Sequence, residues 1–303
     1  MQVLLAHHEG IALLGDVPEE VRLEIWDGTG ELPLPAEGVE FWVPPFLSSA
    51  DLLATAGKMS TLTVVQLLTA GADAWAGRLP VGVTLCDARG VHSSSTSEWA
   101  MTAVLASLRE FPRFAVAQAA GRWDFTGTDE LAGKRVLIVG SGAIGAALAR
   151  RLDAFDVEVV RVARTSRDGV HAVSELPDLL PTADVVVLLV PLTHATRGMV
   201  DATFLARMPD GALLVNAARG PVVDTDALVA ELSSGRLRAA LDVTEPEPLP
   251  TGHPLWTVPG LLLTPHVAGS VSGLLPRAYD LVSRQLWKYA EGEPLDNVVH
   301  DGY

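Results

Sequence analysis

The sequence predicts an α/β protein made of two parallel-sheet domains, each with helices on both faces, and three observations carry that prediction. Short apolar runs rich in β-branched residues recur along the chain with helical stretches between them, the pattern of strands buried on both faces. These runs fall into two series, separated by one long stretch rich in Ala, Leu, Met and Glu. The chain has 303 residues, beyond the size at which a single hydrophobic core stops growing.

The first series occupies residues 3–5, 23–26, 39–42, 63–66 and 83–86, and the second 136–139, 157–162, 185–190, 213–216 and 261–264. Residues 96–120 between them read as one long connecting helix, with Ser95 or Thr96 as candidate N-cap and Gly121 as its stop. After the last strand, Ala278, Leu281, Val282, Leu286 and Tyr289 recur at helical spacing, which predicts a closing helix over 276–290. The expected domains are 1–95 together with 275–303, and 96–274. No internal repeat, heptad pattern or low-complexity tract is present.

Hydrophobic residues make up 49% of the chain and charged ones 19%, a composition that folds rather than one that stays disordered. The formal charge of −15 argues against a general nucleic-acid binder, which needs a basic surface to displace phosphate counterions. It also disfavours an anionic membrane surface. An anionic small molecule is still compatible, provided a few cations are gathered in a cleft. Cys86 stands alone, so neither an intrachain disulfide nor a cysteine zinc site is available and no metal is implied; a reducing, cytoplasmic location is expected. The first residues run straight into a strand-like segment without the apolar stretch of a signal peptide. The apolar run 185–190 is bounded by Asp184 and Pro191 and is too short to span a bilayer.

The strand-like Lys134-Arg135-Val136-Leu137-Ile138-Val139 runs directly into Gly140-Ser141-Gly142-Ala143-Ile144-Gly145, and helix-forming residues follow. In that strand, turn and helix context a G-x-G-x-x-G pattern points to a dinucleotide, with the pyrophosphate on the helix N-terminus. Gly140, Gly142, Ala143, Ile144 and Gly145 are therefore candidate cofactor residues. NAD-binding proteins of this kind place a carboxylate at the tip of the second strand. Here the tip reads Ala163-Arg164-Thr165-Ser166-Arg167, with Glu158 too early and Asp168 after the turn. Arg164, Thr165, Ser166 and Arg167 suit a 2′-phosphate, so NADP (as NADPH) is expected in preference to NAD. An ordinary solvated, Arg-rich loop is the other reading.

Three segments follow in order: Val215-Asn216-Ala217-Ala218-Arg219-Gly220, Leu241-Asp242-Val243-Thr244-Glu245-Pro246-Glu247-Pro248, and Leu263-Thr264-Pro265-His266-Val267-Ala268-Gly269. With the glycine loop they resemble the D-isomer-specific 2-hydroxyacid dehydrogenase family, over nearly the whole chain. The resemblance implies a Rossmann-like dinucleotide-binding domain, a flavodoxin-like substrate domain, and reduction of a small 2-keto acid such as glyoxylate or hydroxypyruvate to the D-2-hydroxy acid. Arg219, with its fixed fork of donors, suits the substrate carboxylate and keto oxygen. His266 suits the proton donor, and Glu247 the partner that orients the ring. Glu245 competes for that last role, and the family spacing from Asp242 selects Glu247. Taken singly, each is equally well a surface cation, a solvated carboxylate or a loop histidine.

The resemblance further implies that Asp242 lies near the nicotinamide carboxamide and that Pro191, Thr196, Ala217 and Ala218 line the cofactor. It sets Ala70 and Gly71, in Thr69-Ala70-Gly71-Ala72-Asp73, against the substrate carboxylate; a plain strand-to-helix turn is the alternative. Trp42, in Trp42-Val43-Pro44-Pro45-Phe46, is a candidate wall of the substrate site or else core; Trp99 and Trp256 are similarly open. A homodimer is expected, with Trp123 after the long helix either reaching a partner or packing in the core. Two other functions stay open: a phosphoglycerate-dehydrogenase-like enzyme, and a dinucleotide-sensing corepressor-type protein.

Overall fold

The computed structural model describes residues 1–33, 35, 38–48 and 50–300. The chain divides into two compact units, Met1–His92 with Val271–Tyr303, and Ser93–Ser270.

In the first unit β1 (Gln2–Leu5), α1 (Glu9–Leu14), β2 (Arg22–Ile25), β3 (Phe41–Val43), α2 (Leu53–Ala56), β4 (Val64–Gln66) and β5 (Thr84–Cys86) follow one another. The five strands are parallel, in the order β2-β1-β3-β4-β5, the flavodoxin-like order. One face of the sheet packs Val3, Leu5, Phe41 and Val43 against Leu274, Ala278, Tyr279, Leu281, Val282 and Leu286 of the chain's last helix, Leu274–Ala290. Each such leucine or phenylalanine contributes about 1.5–3 kcal/mol by leaving water.

Trp42 belongs to the opposite face. It is 0% exposed, with Trp75 edge-on at 5.5 Å and Trp26 at 6.1 Å between ring centroids. The strand alternation turns Trp42 inward while its neighbours Phe41 and Val43 face the last helix. Trp42 is a core residue, which corrects the expectation of a substrate wall. Phe46, after the strand, is half-buried and stacks on His92 at 5.7 Å.

The second unit opens with α3 (Ser93–Leu108) and α4 (Phe111–Ala119). Where one long helix is expected, the chain breaks at Arg109 and Glu110, the latter left-handed at φ 55°. The cause is Pro112, which lacks the N–H that the Leu108 carbonyl would accept and whose ring would collide with that carbonyl. The N–H of Asp129 takes the carbonyl instead, at 3.1 Å. Ser95 and Thr96, expected at the cap, lie buried inside α3.

The elements β6 (Arg135–Val139), α5 (Ala143–Leu152), β7 (Glu158–Ala163), β8 (His171–Ala172), α6 (Leu176–Leu179), β9 (Val185–Leu188), α7 (Ala202–Arg207), β10 (Leu213–Asn216), α8 (Thr225–Ser233), β11 (Arg238–Leu241) and β12 (Leu261–Leu263) complete the unit. Their strands form a parallel seven-stranded sheet in the order β12-β11-β10-β9-β6-β7-β8, the doubly wound, Rossmann-like arrangement that reverses direction between β6 and β9. Asp201 and Asp224 cap α7 and α8 by accepting the N–H groups of Phe204 and Ala227 at 2.8 and 3.0 Å.

The register aligns the strand ends. Val139 is level with Val162 and Leu188, Asn216 with Leu188 and Leu241, and Leu241 with Leu263. The residues that follow, Gly140, Ala163, Leu189, Ala217, Asp242 and Thr264, therefore leave the sheet along one carboxyl-end rim, where open α/β sheets bind ligands. No helix among the described residues is long and apolar enough to cross a membrane.

Candidate active site

On this rim, the glycine loop after β6 has the shape a dinucleotide requires. Gly140 has φ 113°, and a Cβ there would sit 2.5 Å from the Leu189 carbonyl; a Cβ on Gly145 would sit 2.1 Å from the Gly140 oxygen. The first glycine thus makes the tight turn and the third lets α5 approach β6. Gly142, the N-cap of α5, has open space where its Cβ would be. That leaves the helix N-terminus accessible to an anion.

The second-strand turn lies beside this loop. Arg164, Thr165, Ser166 and Arg167 are all exposed. Arg167 reaches back to donate to the Ser141 carbonyl at 2.7 Å, so its guanidinium braces the loop. Arg164 has no such tie among the described residues. After β9, Thr196 donates to the Pro191 carbonyl at 2.6 Å and accepts the Thr193 N–H at 2.8 Å, which closes that connection on itself.

Asn216 explains how β10 delivers Arg219. The Asn216 side chain is buried, its oxygen accepting the Ala218 N–H at 3.0 Å and its nitrogen donating to the Arg219 carbonyl at 3.1 Å. The chain Ala217-Ala218-Arg219 is thereby wound around one amide, and the Arg219 guanidinium donates to the Ala218 carbonyl at 2.7 Å. Gly220 packs so tightly on the Thr244 carbonyl that a Cβ would come within 1.9 Å. The arginine loop and the glutamate loop are consequently held side by side.

The histidine loop follows β12. His266 has φ 53°, a left-handed backbone that side chains disfavour. Its N–H donates to the Asp242 carbonyl at 2.7 Å. Its ring Nδ1 lies 2.6 Å from Glu247 Oε1, which leaves Nε2 without a hydrogen bond among the described residues. Burial opposes the charge of Glu247, but the hydrogen bond from His266 and the positive charge of His266 outweigh it, aided by the Thr244 N–H and by Arg219, so its pKa lies below the usual glutamate value. Glu247 therefore stays ionised and tied to the ring.

Residues 101–268 match the sequence profile of the D-isomer specific 2-hydroxyacid dehydrogenase, NAD binding domain. The chain belongs to the D-isomer-specific 2-hydroxyacid dehydrogenase family. Its members are NAD(P)-dependent oxidoreductases. A glyoxylate reductase from Thermofilum pendens is 36% identical over 225 residues, 70% of this chain and 66% of that protein. A D-3-phosphoglycerate dehydrogenase from Mycobacterium tuberculosis is 34% identical over 265 residues, 84% of this chain and 49% of that one. The chain thus spans just under two thirds of the first relative and about half of the second.

Solved family members agree with the fold. A D-isomer specific 2-hydroxyacid dehydrogenase from Xanthobacter autotrophicus Py2, in complex with NADPH and MES, superposes with a TM-score of 0.85 at 32% identity, covering 100% of this chain and 99% of that one. An NADPH-dependent glyoxylate/hydroxypyruvate reductase from Sinorhizobium meliloti, in complex with NADP and sulfate, gives 0.83 at 28% identity, covering 100% and 99%.

The remaining site residues are placed less directly. Asp242, expected along the nicotinamide, is 2% exposed, and both its carboxylate oxygens accept hydrogen bonds from the His266 loop. Ala217 and Ala218 sit on the rim in the turn wound on Asn216. In the first unit Ala70 and Gly71 lie in a loop after β4 that Thr69 closes by donating to the Gly71 carbonyl at 2.8 Å; turns rather than a helix follow. Asn216, Thr264 and Trp99 carry structural roles that the sequence reading did not assign, although the first two stand inside the motifs quoted for the family.

Proposed function

We propose that the protein reduces a small 2-keto acid, of the glyoxylate or hydroxypyruvate type, to the D-2-hydroxy acid, with NADPH preferred over NADH. The observation that carries this reading is the His266–Glu247 pair at 2.6 Å on the rim that also presents Arg219. The glycine loop fits a dinucleotide, since a Cβ at Gly140 or Gly145 would collide with backbone while Gly142 stays open. When bound, the reduced nicotinamide supplies the hydride. Arg219 holds the substrate carboxylate and polarises its keto oxygen. His266 holds a proton at Nε2 for the developing alkoxide, and Glu247, below its ordinary pKa, fixes the ring and balances its charge. A pure sensor of dinucleotide would not need this proton donor.

The exposed Arg164, Thr165 and Ser166 support the 2′-phosphate reading, and relatives whose structures hold NADP(H) agree with it. We also propose a homodimer in the cytoplasm. It is supported by the apolar side chains that α4 and the segment after it turn to solvent: Phe111, Val116, Trp123 at 96% exposed and Phe125 at 91%. Such exposure leaves no room for the reading of Trp123 as core.

The test is an assay of the purified protein with glyoxylate, hydroxypyruvate, pyruvate and phenylpyruvate against both cofactors. NADPH consumption with at least one of them, abolished in His266→Ala while NADPH still binds, is expected. Tight NADPH binding without turnover of any keto acid would instead favour a sensor.

A further inference from the structure

The loop that carries His266 is fastened to a single carboxylate, and the fastening begins on a helix outside the catalytic motifs. Thr264 donates its hydroxyl proton to Asp242 Oδ1 at 2.6 Å, and the same oxygen accepts the Val267 N–H at 2.9 Å. Oδ2 accepts the Ala268 N–H at 2.9 Å. Residues on both sides of His266 thus converge on Asp242, whose own carbonyl takes the His266 N–H.

The direction of the Thr264 hydroxyl is set by Trp99 on α3. Its indole Nε1 is only a donor, and it lies 3.0 Å from Thr264 Oγ1. With that lone pair engaged by a donor, the Thr264 hydroxyl gives its proton to Asp242 Oδ1. Trp99 itself is fixed in register, because its neighbours Ala100, Met101, Ala103 and Val104 pack into the core of the unit.

We propose that Trp99 is a positioning residue for His266, acting through Thr264 and Asp242 to hold the loop in the left-handed conformation that sets the ring against Glu247. The indole N–H of Trp99 goes to Thr264 rather than to His266 or Glu247. The consequence is that Asp242 serves the histidine loop with both of its oxygens, whatever it also meets at the nicotinamide. The inference rests on the catalytic reading of His266 given above.

Three variants of the full chain test it: Trp99→Phe, which keeps the ring and removes the N–H, Thr264→Val, and Thr264→Ser. Two readouts are followed beside NADPH affinity by calorimetry: kcat on the best keto acid, and the low-field Nδ1–H proton resonance of His266, which a 2.6 Å bond to Glu247 should produce. In Trp99→Phe and Thr264→Val, kcat should fall about tenfold with unchanged NADPH affinity, as a small misplacement of a reacting group would cause, and the resonance should broaden or vanish. Thr264→Ser should restore both. Persistence of kcat and resonance in Trp99→Phe would overturn the proposal, as would a parallel loss of kcat and NADPH affinity with the resonance intact. If the wild type reduces no keto acid, the functional reading fails, and the resonance alone decides whether Trp99 holds the ring.

Discussion

Nδ1 of His266 lies 2.6 Å from Oε1 of Glu247, and this pair fixes how the site should respond to acid. The Glu247 pKa is depressed, because the hydrogen bond and charge of His266, with help from Arg219, outweigh burial. A depressed carboxylate keeps its pairing above its folded pKa and loses it only as pH falls through that value. The acid limb of kcat/KM for keto-acid reduction should therefore lie below the ordinary glutamate range. In Glu247→Gln that limb should be gone and kcat reduced by about 10²-fold. A pH–rate profile of both proteins checks this; an unchanged acid limb in the variant would assign it to another group.

The sheets and the rim were legible in the sequence because parallel strands buried on both faces read as continuous apolar runs. Residues 213–216 mark β10 to the residue. What escaped has specific causes. β11 consists of Arg238, Ala239, Ala240 and Leu241, a poor strand sequence by propensity, yet its two alanines are fully buried and the strand pairs on both sides with β10 and β12. The break between α3 and α4 was written in Pro112, whose effect on a helical run is local and strong. At the site, the proposed set of Arg219, Glu247 and His266 stood in motifs that resemble the family's, whereas the Trp99–Thr264 bond joins residues 165 positions apart, beyond the reach of any spacing rule.

Gly142, which is open, and Gly145, which is tightly packed, separate binding from folding. Gly142 has φ −83° and nothing within 4 Å of an added Cβ, so Gly142→Ala should melt like the wild type. Its methyl would stand where the pyrophosphate approaches the backbone, and the KM for NADPH should rise about tenfold. Gly145→Ala forces α5 away from the Gly140 carbonyl and should cost about 1–3 kcal/mol of stability. Thermal melts and cofactor titrations on the two variants distinguish these effects; equal melting losses would remove the distinction.

Arg164 and Arg167 should not be equivalent. Arg167 braces the glycine loop through the Ser141 carbonyl, so Arg167→Ala should weaken NADPH and NADH together. Arg164 is exposed without such a tie among the described residues, and Arg164→Ala should lower kcat/KM with NADPH by about tenfold or more while changing NADH little, the behaviour of a charge-assisted phosphate contact. Steady-state kinetics with both cofactors provide the check. Equal losses in Arg164→Ala would show that it too supports the loop.

Trp42 tests core against substrate wall. Its Nε1 is buried with no hydrogen-bond partner among the described residues, so Trp42→Phe removes a buried unsatisfied donor, and that gain offsets part of the cavity it leaves. Trp42→Ala should cost about 3–5 kcal/mol. The KM for the keto acid should be unchanged in Trp42→Phe. A change in KM without a change in melting temperature would return Trp42 to the substrate site.

The surface around α4 bears on assembly. Arg113 holds Asp124 through two hydrogen bonds, both 3.1 Å, and so pins the segment carrying Trp123 and Phe125 beside a helix that exposes Phe111 and Val116. Exposed apolar side chains held in place on a charged protein are what the proposed interface would use, and in a homo-oligomer with two-fold symmetry the same surface would meet itself. Changing Trp123 and Phe125 to Glu would place like charges opposite one another across such an axis. The wild type should run at twice the chain mass in light scattering and the double variant at the single mass, with its far-ultraviolet spectrum retained. A wild-type mass of one chain at micromolar concentration would rule the homodimer out, and retention of the dimer in the double variant would move the interface elsewhere on the chain.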